Sequence, residues 1–254
     1  QPFSVQFKTD GTKMYIVGIT GDAVYQYSLS GAWDLSTVSY DSVSFSLSSQ
    51  DGNMQGFVFN NDGTKFFTAG LTTQKLFEYD LSSAWDMSTA SYSTEDFDIS
   101  SEDSDPLGIA FNADGTALFM VGSTNDKIFE YTLSSAFDLS TISYSSTSFS
   151  VATQGTTPMG LAFGSAGASI YVSDPIADTI SQYSSTAFVV IASNQMNSTT
   201  LNAITDANQI SLATDLDFAV IMYYNTGTTV PTYSGTAMNY DAAILNQGAI
   251  LGTD

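Results

Sequence analysis

Two clusters of acidic side chains are the groups in this sequence best suited to chemistry. One cluster contains Glu95, Asp96 and Asp98, and the other contains Glu102, Asp103 and Asp105. Two carboxyl groups about 5 to 9.5 Å apart can hydrolyse a glycosidic bond, and several carboxylate oxygens together can hold a calcium ion. We therefore assign Glu102, Asp103 and Asp105 as a candidate calcium site, although they lack the spacing of the 12-residue calcium loop. The alternative is that both clusters, which are flanked by Ser, are solvated loops or outer strands.

Other catalytic groups are missing from the sequence. It has no cysteine and no histidine, which removes thiolate nucleophiles, disulfides, the usual general base near neutral pH and the commonest transition-metal ligand. It has no nucleophile elbow, phosphate-binding loop or dinucleotide fingerprint. The sequence therefore predicts a protein that is not an enzyme and needs no cofactor, with calcium as an optional ligand.

The charge balance limits the partners that the protein can have. There are 26 acidic and 5 basic residues, which give a net charge of −21. A field of this sign repels nucleic acids and anionic membranes. No apolar run reaches the roughly 18 residues of a membrane span. We expect no nucleic-acid binding and no membrane insertion.

A repeat with a spacing of 52 residues organises the first three-quarters of the chain. Asp10-Gly11-Thr12 recurs as Asp62-Gly63-Thr64 and as Asp114-Gly115-Thr116. Aromatic residues keep the same step, as in the series Phe7, Phe59, Phe111 and Phe163 and the series Tyr27, Tyr79, Tyr131 and Tyr183. Such a period indicates tandem structural units that pack against their neighbours.

Each unit contains four extended segments. In the second unit these are 56–59, 65–70, 74–81 and a fourth near 95–99, and residues 60–63 form a hairpin turn in which Gly63 takes the left-handed conformation. Four antiparallel strands in about 50 residues, repeated in tandem, are typical of a propeller blade. The sequence predicts an all-β β-propeller with blades at about 1–52, 53–104 and 105–156 and a partial blade at 157–186.

These motifs resemble a known family. The segment Phe-Asn-Asn-Asp-Gly-Thr-Lys-Phe-Phe-Thr-Ala-Gly at 59–70, followed by Lys-Leu-Phe-Glu-Tyr-Asp-Leu at 75–81, resembles the YVTN-type propeller repeats of bacterial, archaeal and viral surface proteins. The resemblance covers residues 1–184. The units here are longer, because each contains an insertion of the type Ala-Trp-Asp-Leu-Ser-Thr.

The aromatic residue of this insertion has two interpretations. Trp33 and Trp85 are each followed by an Asp. The favoured interpretation is structural: the ring packs over the blade edge, and the Asp caps the Ser/Thr turn that follows. The alternative is that Trp33 and Trp85 bind glycans by stacking on sugar faces.

The repeat weakens in the fourth unit and ends near residue 187. Residues 187–254 are predicted to form a small C-terminal β module with a strand at 217–224. This part resembles structural proteins of marine tailed phages, in the stretches Thr-Gly-Thr-Thr-Val-Pro-Thr and Asn-Gln-Gly-Ala-Ile-Leu-Gly-Thr-Asp. That resemblance implies a virion component.

The predicted function is that of a non-enzymatic virion structural or fibre-type protein that acts in assembly or host-surface contact. A cellular surface-layer or adhesion protein is the alternative, and a carbohydrate-active propeller enzyme is the third hypothesis. We expect a location on the virion surface or otherwise outside the cell. Repeats need neighbours to cover their apolar faces, so we expect a homo-oligomer or other protein subunits as partners, and host glycans as a further possible ligand. A ring of four blades, further blades before Gln1 and blades from another subunit all stay open.

Overall fold

The computed structural model describes residues 2–18, 21–164 and 169–184, together with two short paired strands, Thr232–Tyr233 and Thr236–Ala237. The chain divides into two compact units, Gln1–Ser185 and Thr186–Asp254. The strand predicted at 217–224 lies outside the described residues.

Each of the first three repeats folds into a four-stranded antiparallel sheet whose strands follow one another in chain order. Sheet 1 contains β1 (Pro2–Phe7), β2 (Lys13–Gly18), β3 (Ala23–Leu29) and β4 (Val38–Ser46). Sheet 2 contains β5 (Met54–Phe59), β6 (Lys65–Gly70), β7 (Lys75–Leu81) and β8 (Ala90–Asp98). Sheet 3 contains β9 (Pro106–Phe111), β10 (Ala117–Gly122), β11 (Lys127–Leu133) and β12 (Ile142–Ser150). Sheet 4 contains β13 (Gly160–Gly164), β14 (Ser169–Asp174) and β15 (Thr179–Ser184).

The prediction of the fourth strand was wrong in its start. The segment near 95–99 was expected to be extended, whereas β8 begins at Ala90. The first half of this strand is Ala-Ser-Tyr-Ser-Thr, in which only Ala90 and Tyr92 are apolar. Residues 93–95 of β8 lie opposite the single residue Glu78 of β7, so β8 carries a bulge there, and Thr94 has φ of +76°. Ala90 and Tyr92 pack partly buried against the core between sheets 1 and 2, and Phe97 against the core between sheets 2 and 3.

Adjacent sheets pack face to face, so the core lies between blades. One apolar cluster joins sheets 1 and 2, with Val17 and Val24 against Phe57 and Phe66. A second joins sheets 2 and 3, and a third joins sheets 3 and 4. The first strands of neighbouring sheets contact each other, which makes β1, β5, β9 and β13 the inner strands. Radial packing of four-stranded antiparallel sheets is the architecture of a β-propeller, and the predicted fold class is confirmed.

Residues 52 apart occupy equivalent places. Phe7 packs against Trp33 with ring centroids 5.2 Å apart, Phe59 packs against Trp85 at 4.9 Å, and Phe111 packs against Phe137 at 4.9 Å. Among the described residues, no helix has both the length and the apolar character of a membrane span.

Candidate functional site: the faces of the blades

The Asp-Gly-Thr turn closes the hairpin between the first two strands of each of the first three blades. In the second blade, the Asp62 carboxylate accepts hydrogen bonds from the Thr64 backbone N–H at 3.0 Å and from the Thr64 hydroxyl at 2.6 Å. These bonds to the charged form lower the pKa of Asp62. Gly63 has φ of +73°, the left-handed conformation that glycine adopts without strain. The predicted hairpin turn is confirmed.

The aromatic residue of the insertion lies on the glycine of this turn. A Cβ on Gly63 would overlap the indole ring of Trp85, and a Cβ on Gly11 would overlap that of Trp33. Trp85 also contacts Phe59 and, from the first blade, Tyr15. Only 9% of Trp85 is exposed, so it presents no ring face to a sugar. Packing is therefore the role of Trp85, as the structural interpretation proposed.

Replacement of Gly63 by alanine should destabilise the protein more than the same change at Gly11. Both glycines have φ of +73°, so both variants carry the left-handed strain of about 1 to 2 kcal/mol. In Gly63→Ala the new methyl group also meets a buried ring that cannot move away, for a total of about 2 to 3 kcal/mol. In Gly11→Ala the exposed Trp33 can rotate. Urea unfolding of the two variants measures the difference, and equal losses would contradict the wedged position of Trp85.

The Asp of the insertion caps a short 3-10 turn, as predicted. The three turns are Leu35–Thr37, Met87–Thr89 and Leu139–Thr141. In the second, the Asp86 carboxylate accepts from the Ser88 backbone N–H at 3.0 Å and from the Ser88 hydroxyl at 2.7 Å. The first N–H of each turn has no partner inside the turn. In the second and third turns, this N–H group points toward the preceding blade.

A side chain of the preceding blade binds that free N–H. Gln26 in sheet 1 accepts from the Met87 N–H at 2.8 Å, and Glu78 in sheet 2 accepts from the Leu139 N–H at 2.8 Å. Glu78 also forms an ion pair with Lys65, and both Gln26 and Glu78 are buried. Sequence analysis missed this role, although the positions are 52 apart. We call the Gln26 and Glu78 contacts the interblade latches.

The first blade lacks a preceding neighbour among the described residues, and its outward face is apolar. This first-blade face contains Val5, Trp33, Leu35, Val38 and Tyr40, all of which are exposed. Trp33 and Leu35 are each 59% exposed, compared with 9% for Trp85 and 1% for Met87 at the equivalent positions of the second blade. An apolar surface of this kind is a candidate contact site. Trp33 keeps its predicted availability for a ligand, whereas Trp85 does not.

Two of the three candidate calcium residues, Asp103 and Asp105, hold structural hydrogen bonds. Both carboxylate oxygens of the buried Asp103 accept backbone N–H bonds, from Asp105 at 2.8 Å, Thr124 at 3.2 Å and Asn125 at 2.9 Å. The Asp105 carboxylate accepts from the Ser123 hydroxyl, and burial raises the pKa of Glu102. Across residues 2–18, 21–164 and 169–184, no three acidic side chains form a group that could hold a metal ion.

The spacing of Asp103 carried a signal for this role that sequence analysis overlooked. Asp51 lies 52 residues earlier and is also buried. Its carboxylate accepts from the Asn53 N–H at 2.7 Å and from the Thr73 N–H at 2.6 Å. Asp51 and Asp103 each lie in a segment that connects two blades, and each accepts hydrogen bonds from the turn that follows the second strand of the next sheet. Recurrence in successive repeats is the mark of a structural residue.

Replacement of Asp103 by alanine should lower the free energy of unfolding by about 2 kcal/mol, because buried backbone N–H groups lose their acceptor. We expect the same loss in excess calcium and in chelator. Thermal unfolding in both buffers, with Asp51→Ala as the matched variant, measures it. A calcium-dependent rise in the Tm of the parent protein that Asp103→Ala abolishes would instead support the calcium site.

The other acidic cluster lies on β8, the outer strand of sheet 2. Asp96 accepts from the Lys75 ammonium at 2.8 Å and from the Tyr92 hydroxyl at 3.2 Å. Asp98 accepts from the Ser100 backbone N–H at 2.9 Å. Two of the three carboxylates are therefore held by structural contacts at the edge of the blade, and Glu95 forms its described hydrogen bond through its backbone N–H.

A cavity of about 480 Å³ opens beside the inner strands. Four of its lining residues are repeat equivalents, one from each sheet, namely Phe3, Gln55, Leu107 and Met159. Asp174 also lines it, but its carboxylate accepts backbone N–H bonds from Thr157, Ile176 and Ala177, and these bonds lower its pKa. Asp178, Ser173 and Thr179 line it as well, so the cavity has a mixed apolar and polar lining.

The blades, their turns and the latches define a β-propeller repeat protein. Comparison with solved structures gives the same fold. A candidate 6-phosphogluconolactonase from Bacteroides uniformis matches with a TM-score of 0.53 at 11% identity, over 72% of this chain and 50% of that chain. A periplasmic gluconolactonase from Pseudomonas aeruginosa matches with a TM-score of 0.50 at 16% identity, over 72% and 50%.

A protein from Lactobacillus plantarum matches with a TM-score of 0.51 at 17% identity, over 72% of this chain and 51% of that chain. At such identities the likeness extends to the fold alone. The chain spans about half the length of the structures that it matches. No protein-family model matches the sequence, and neither does any curated protein.

Proposed function

We propose that the protein is a non-enzymatic structural protein of a virion surface, of the fibre type, which acts in assembly or host-surface contact. The observation that carries this proposal is the first-blade face. Five apolar side chains are exposed there, and equivalent positions in the following blades are covered by a neighbouring blade. A rigid sheet that presents such a surface is suited to contact with another macromolecule.

The use of the charged groups supports a structural role. Glu78, Asp51 and Asp103 are buried and bind backbone N–H groups that join one blade to the next. A carboxylate held in this way orders the fold, and it is not available as a base or nucleophile in the way that catalysis requires. Among the described residues, the carboxylates of Asp96, Asp98, Asp103 and Asp105 thus serve the scaffold.

The virion assignment rests on the resemblance of the repeats to surface proteins and of residues 187–254 to structural proteins of tailed phages. The net charge of −21 suits a protein that stays soluble at a surface in saline medium, where salt screens repulsion beyond about 8 Å. A cellular surface-layer or adhesion protein has the same physical requirements and is the alternative. Neighbouring capsid and tail genes favour the first, and neighbouring secretion genes favour the second.

Antibody labelling of whole particles tests the proposal. An antibody raised against the chain should label the outside of purified virions in electron micrographs, and the chain should be found by mass spectrometry in the particle fraction. Label on the envelope of cells without particles would favour the cellular alternative. Recovery of the chain only from the soluble fraction would contradict both.

Lactone hydrolysis is a second candidate, favoured by the cavity beside the inner strands and by the names of two proteins of similar fold. Its test is turnover of glucono-lactone by the purified chain, with Gln55→Leu as a variant of the cavity lining and Thr72→Asp as a surface control. Turnover that Gln55→Leu reduces and Thr72→Asp leaves unchanged would support an enzyme. Absence of turnover above the spontaneous rate would remove this candidate.

A further inference from the structure

Two polar contacts hold the first blade to the second. The Tyr15 hydroxyl donates to the Trp85 carbonyl at 2.6 Å, and the Gln26 side-chain oxygen accepts from the Met87 N–H at 2.8 Å. Tyr15 and Gln26 are paired across β2 and β3, so both side chains leave the same face of the sheet. Val24, which is fully buried, lies on that face as well. Tyr15, Gln26 and Val24 are thus the side chains through which the first blade contacts the second.

The last blade carries the same set and has no described partner for it. Tyr171, Ile180 and Gln182 occupy the positions of Tyr15, Val24 and Gln26, three repeats later. Tyr171 and Gln182 are paired across β14 and β15, as Tyr15 and Gln26 are across β2 and β3. Ile180 is 75% exposed. We call Tyr171, Ile180 and Gln182 the last-blade face.

The hydrogen-bonding state of Gln182 matches that of Gln26. The Gln26 amide nitrogen donates to Asp41 at 2.8 Å, which directs the oxygen to Met87. The Gln182 amide nitrogen donates to the Ser169 hydroxyl at 3.0 Å, on β14. Among the described residues the Gln182 side-chain oxygen has no hydrogen-bond donor, so it is available as an acceptor.

The first-blade face carries the complementary groups. The Trp33 carbonyl and the Leu35 N–H are the equivalents of the Trp85 carbonyl and the Met87 N–H. Within residues 2–18, 21–164 and 169–184, neither group has a hydrogen-bond partner. The exposed Trp33 and Leu35 side chains flank them. The two ends of this unit therefore present the two halves of one blade–blade contact.

We propose that the last-blade face of one copy packs on the first-blade face of a second copy. In this contact Tyr171 donates to the Trp33 carbonyl, Gln182 accepts from the Leu35 N–H, and Ile180 covers Leu35. The inference deepens the proposed function, on which it rests, because it names the partner of the first-blade face. It continues the contact that already joins the blades within the chain.

The contact joins different surfaces, so it is of the head-to-tail type. Two copies joined at both faces bring together the four described blade sheets of each, eight in all, which is within the range of four to eight blades found in propellers. Each copy has a charge of −21, and the resulting repulsion is screened by salt. We expect the association to strengthen between 50 mM and 500 mM sodium chloride.

The mass of the full 254-residue chain in solution tests this inference, by light scattering after gel filtration at tens of micromolar. The parent chain and the surface control Thr72→Asp should both run as a dimer. Leu35→Asp and Ile180→Asp should each run as a monomer, because each places a carboxylate in the contact. Both changes are at exposed positions, and far-UV circular dichroism should show an unchanged fold.

The decisive measurement is the mass of an equimolar mixture of the two variants. Each variant keeps one intact face, so the mixture should form a 1:1 dimer through a single contact, at least tenfold weaker than the parent dimer. A symmetric contact between two first-blade faces would give no such recovery. A monomeric parent chain, a mixture that stays monomeric, or variants that stay dimeric would each overturn the inference. Particle labelling tests the proposed function separately, since a chain that is monomeric in isolation can still be found on virions.

Discussion

Replacement of Trp85 by alanine is expected to lower the free energy of unfolding by about 3 to 5 kcal/mol, which is the range for loss of a large buried aromatic side chain. The same substitution at Trp33 should cost less than about 1 kcal/mol, as at exposed positions without special contacts. The two residues have the same place in the repeat and nearly the same φ, +65° and +63°. Backbone strain therefore cancels in the comparison.

The two substitutions differ in cost because Trp85 is packed against a neighbouring blade and Trp33 is not, among the described residues. Trp85 lies between Gly63 and Phe59 of its own blade and Tyr15 of the blade before it. Its removal opens a cavity that rigid sheets cannot close. Trp33 contacts Phe7 and Gly11 of its own blade only, among the described residues, and much of its surface is already in water.

Urea unfolding followed by circular dichroism measures both variants. The measurement belongs at submicromolar concentration, where association of copies adds little to stability. Similar losses for Trp85→Ala and Trp33→Ala would contradict the structural role of Trp85. At higher concentration Trp33→Ala should also weaken the dimer, a loss that Trp85→Ala would not by itself produce.

Removal of the carboxylate of Glu78 should be the second large effect. Glu78→Ala deprives the Leu139 N–H and the Lys65 ammonium of their common partner in the contact between blades 2 and 3. Loss of one member of a buried ion pair costs about 3 to 5 kcal/mol. We expect a value near the lower end, about 3 kcal/mol, because Lys65 is partly exposed and lies 3.7 Å from Asp80.

The conservative variant provides the control. Glu78→Gln keeps the acceptor for the Leu139 N–H, and Gln26 already serves this purpose in the first blade. We expect Glu78→Gln to cost about 1 kcal/mol, which corresponds to a charge-assisted hydrogen bond replaced by a neutral one. If Glu78→Gln and Glu78→Ala were equally destabilising in urea titrations, the ion pair and not the interblade latch would account for the role of Glu78.

Much of the scaffold could be predicted from the sequence because the determinants are local. The left-handed Gly63, the Asp62 turn and the Asp86 cap each involve residues within a few positions of one another. The tendency of Asp, Ser, Thr and Gly to form turns and caps can be predicted directly from the sequence. The first half of β8 was not predicted, because this outer strand has few apolar residues to mark it, only Ala90 and Tyr92.

The candidate sites were harder to predict, because their roles depend on contacts between repeats. Asp103 was assigned to a calcium site because Glu102 and Asp105 are its neighbours in the sequence. Its hydrogen-bond partners, Thr124 and Asn125, belong to a turn of the next blade. Comparison with Asp51 at the same place in the preceding repeat would have indicated a structural role. The glycan prediction for Trp33 stays a prediction.

The sequence by itself determined that successive 52-residue units adopt the same sheet, since equal local patterns fold into equal local structure. It did not determine which copies of a repeated residue are covered. Trp33 and Trp85 are identical as sequence, yet one is exposed and the other buried, because burial is a property of the blade on the other side. Only the packing of one sheet against the next decides that, and among the described residues it leaves the first-blade face uncovered.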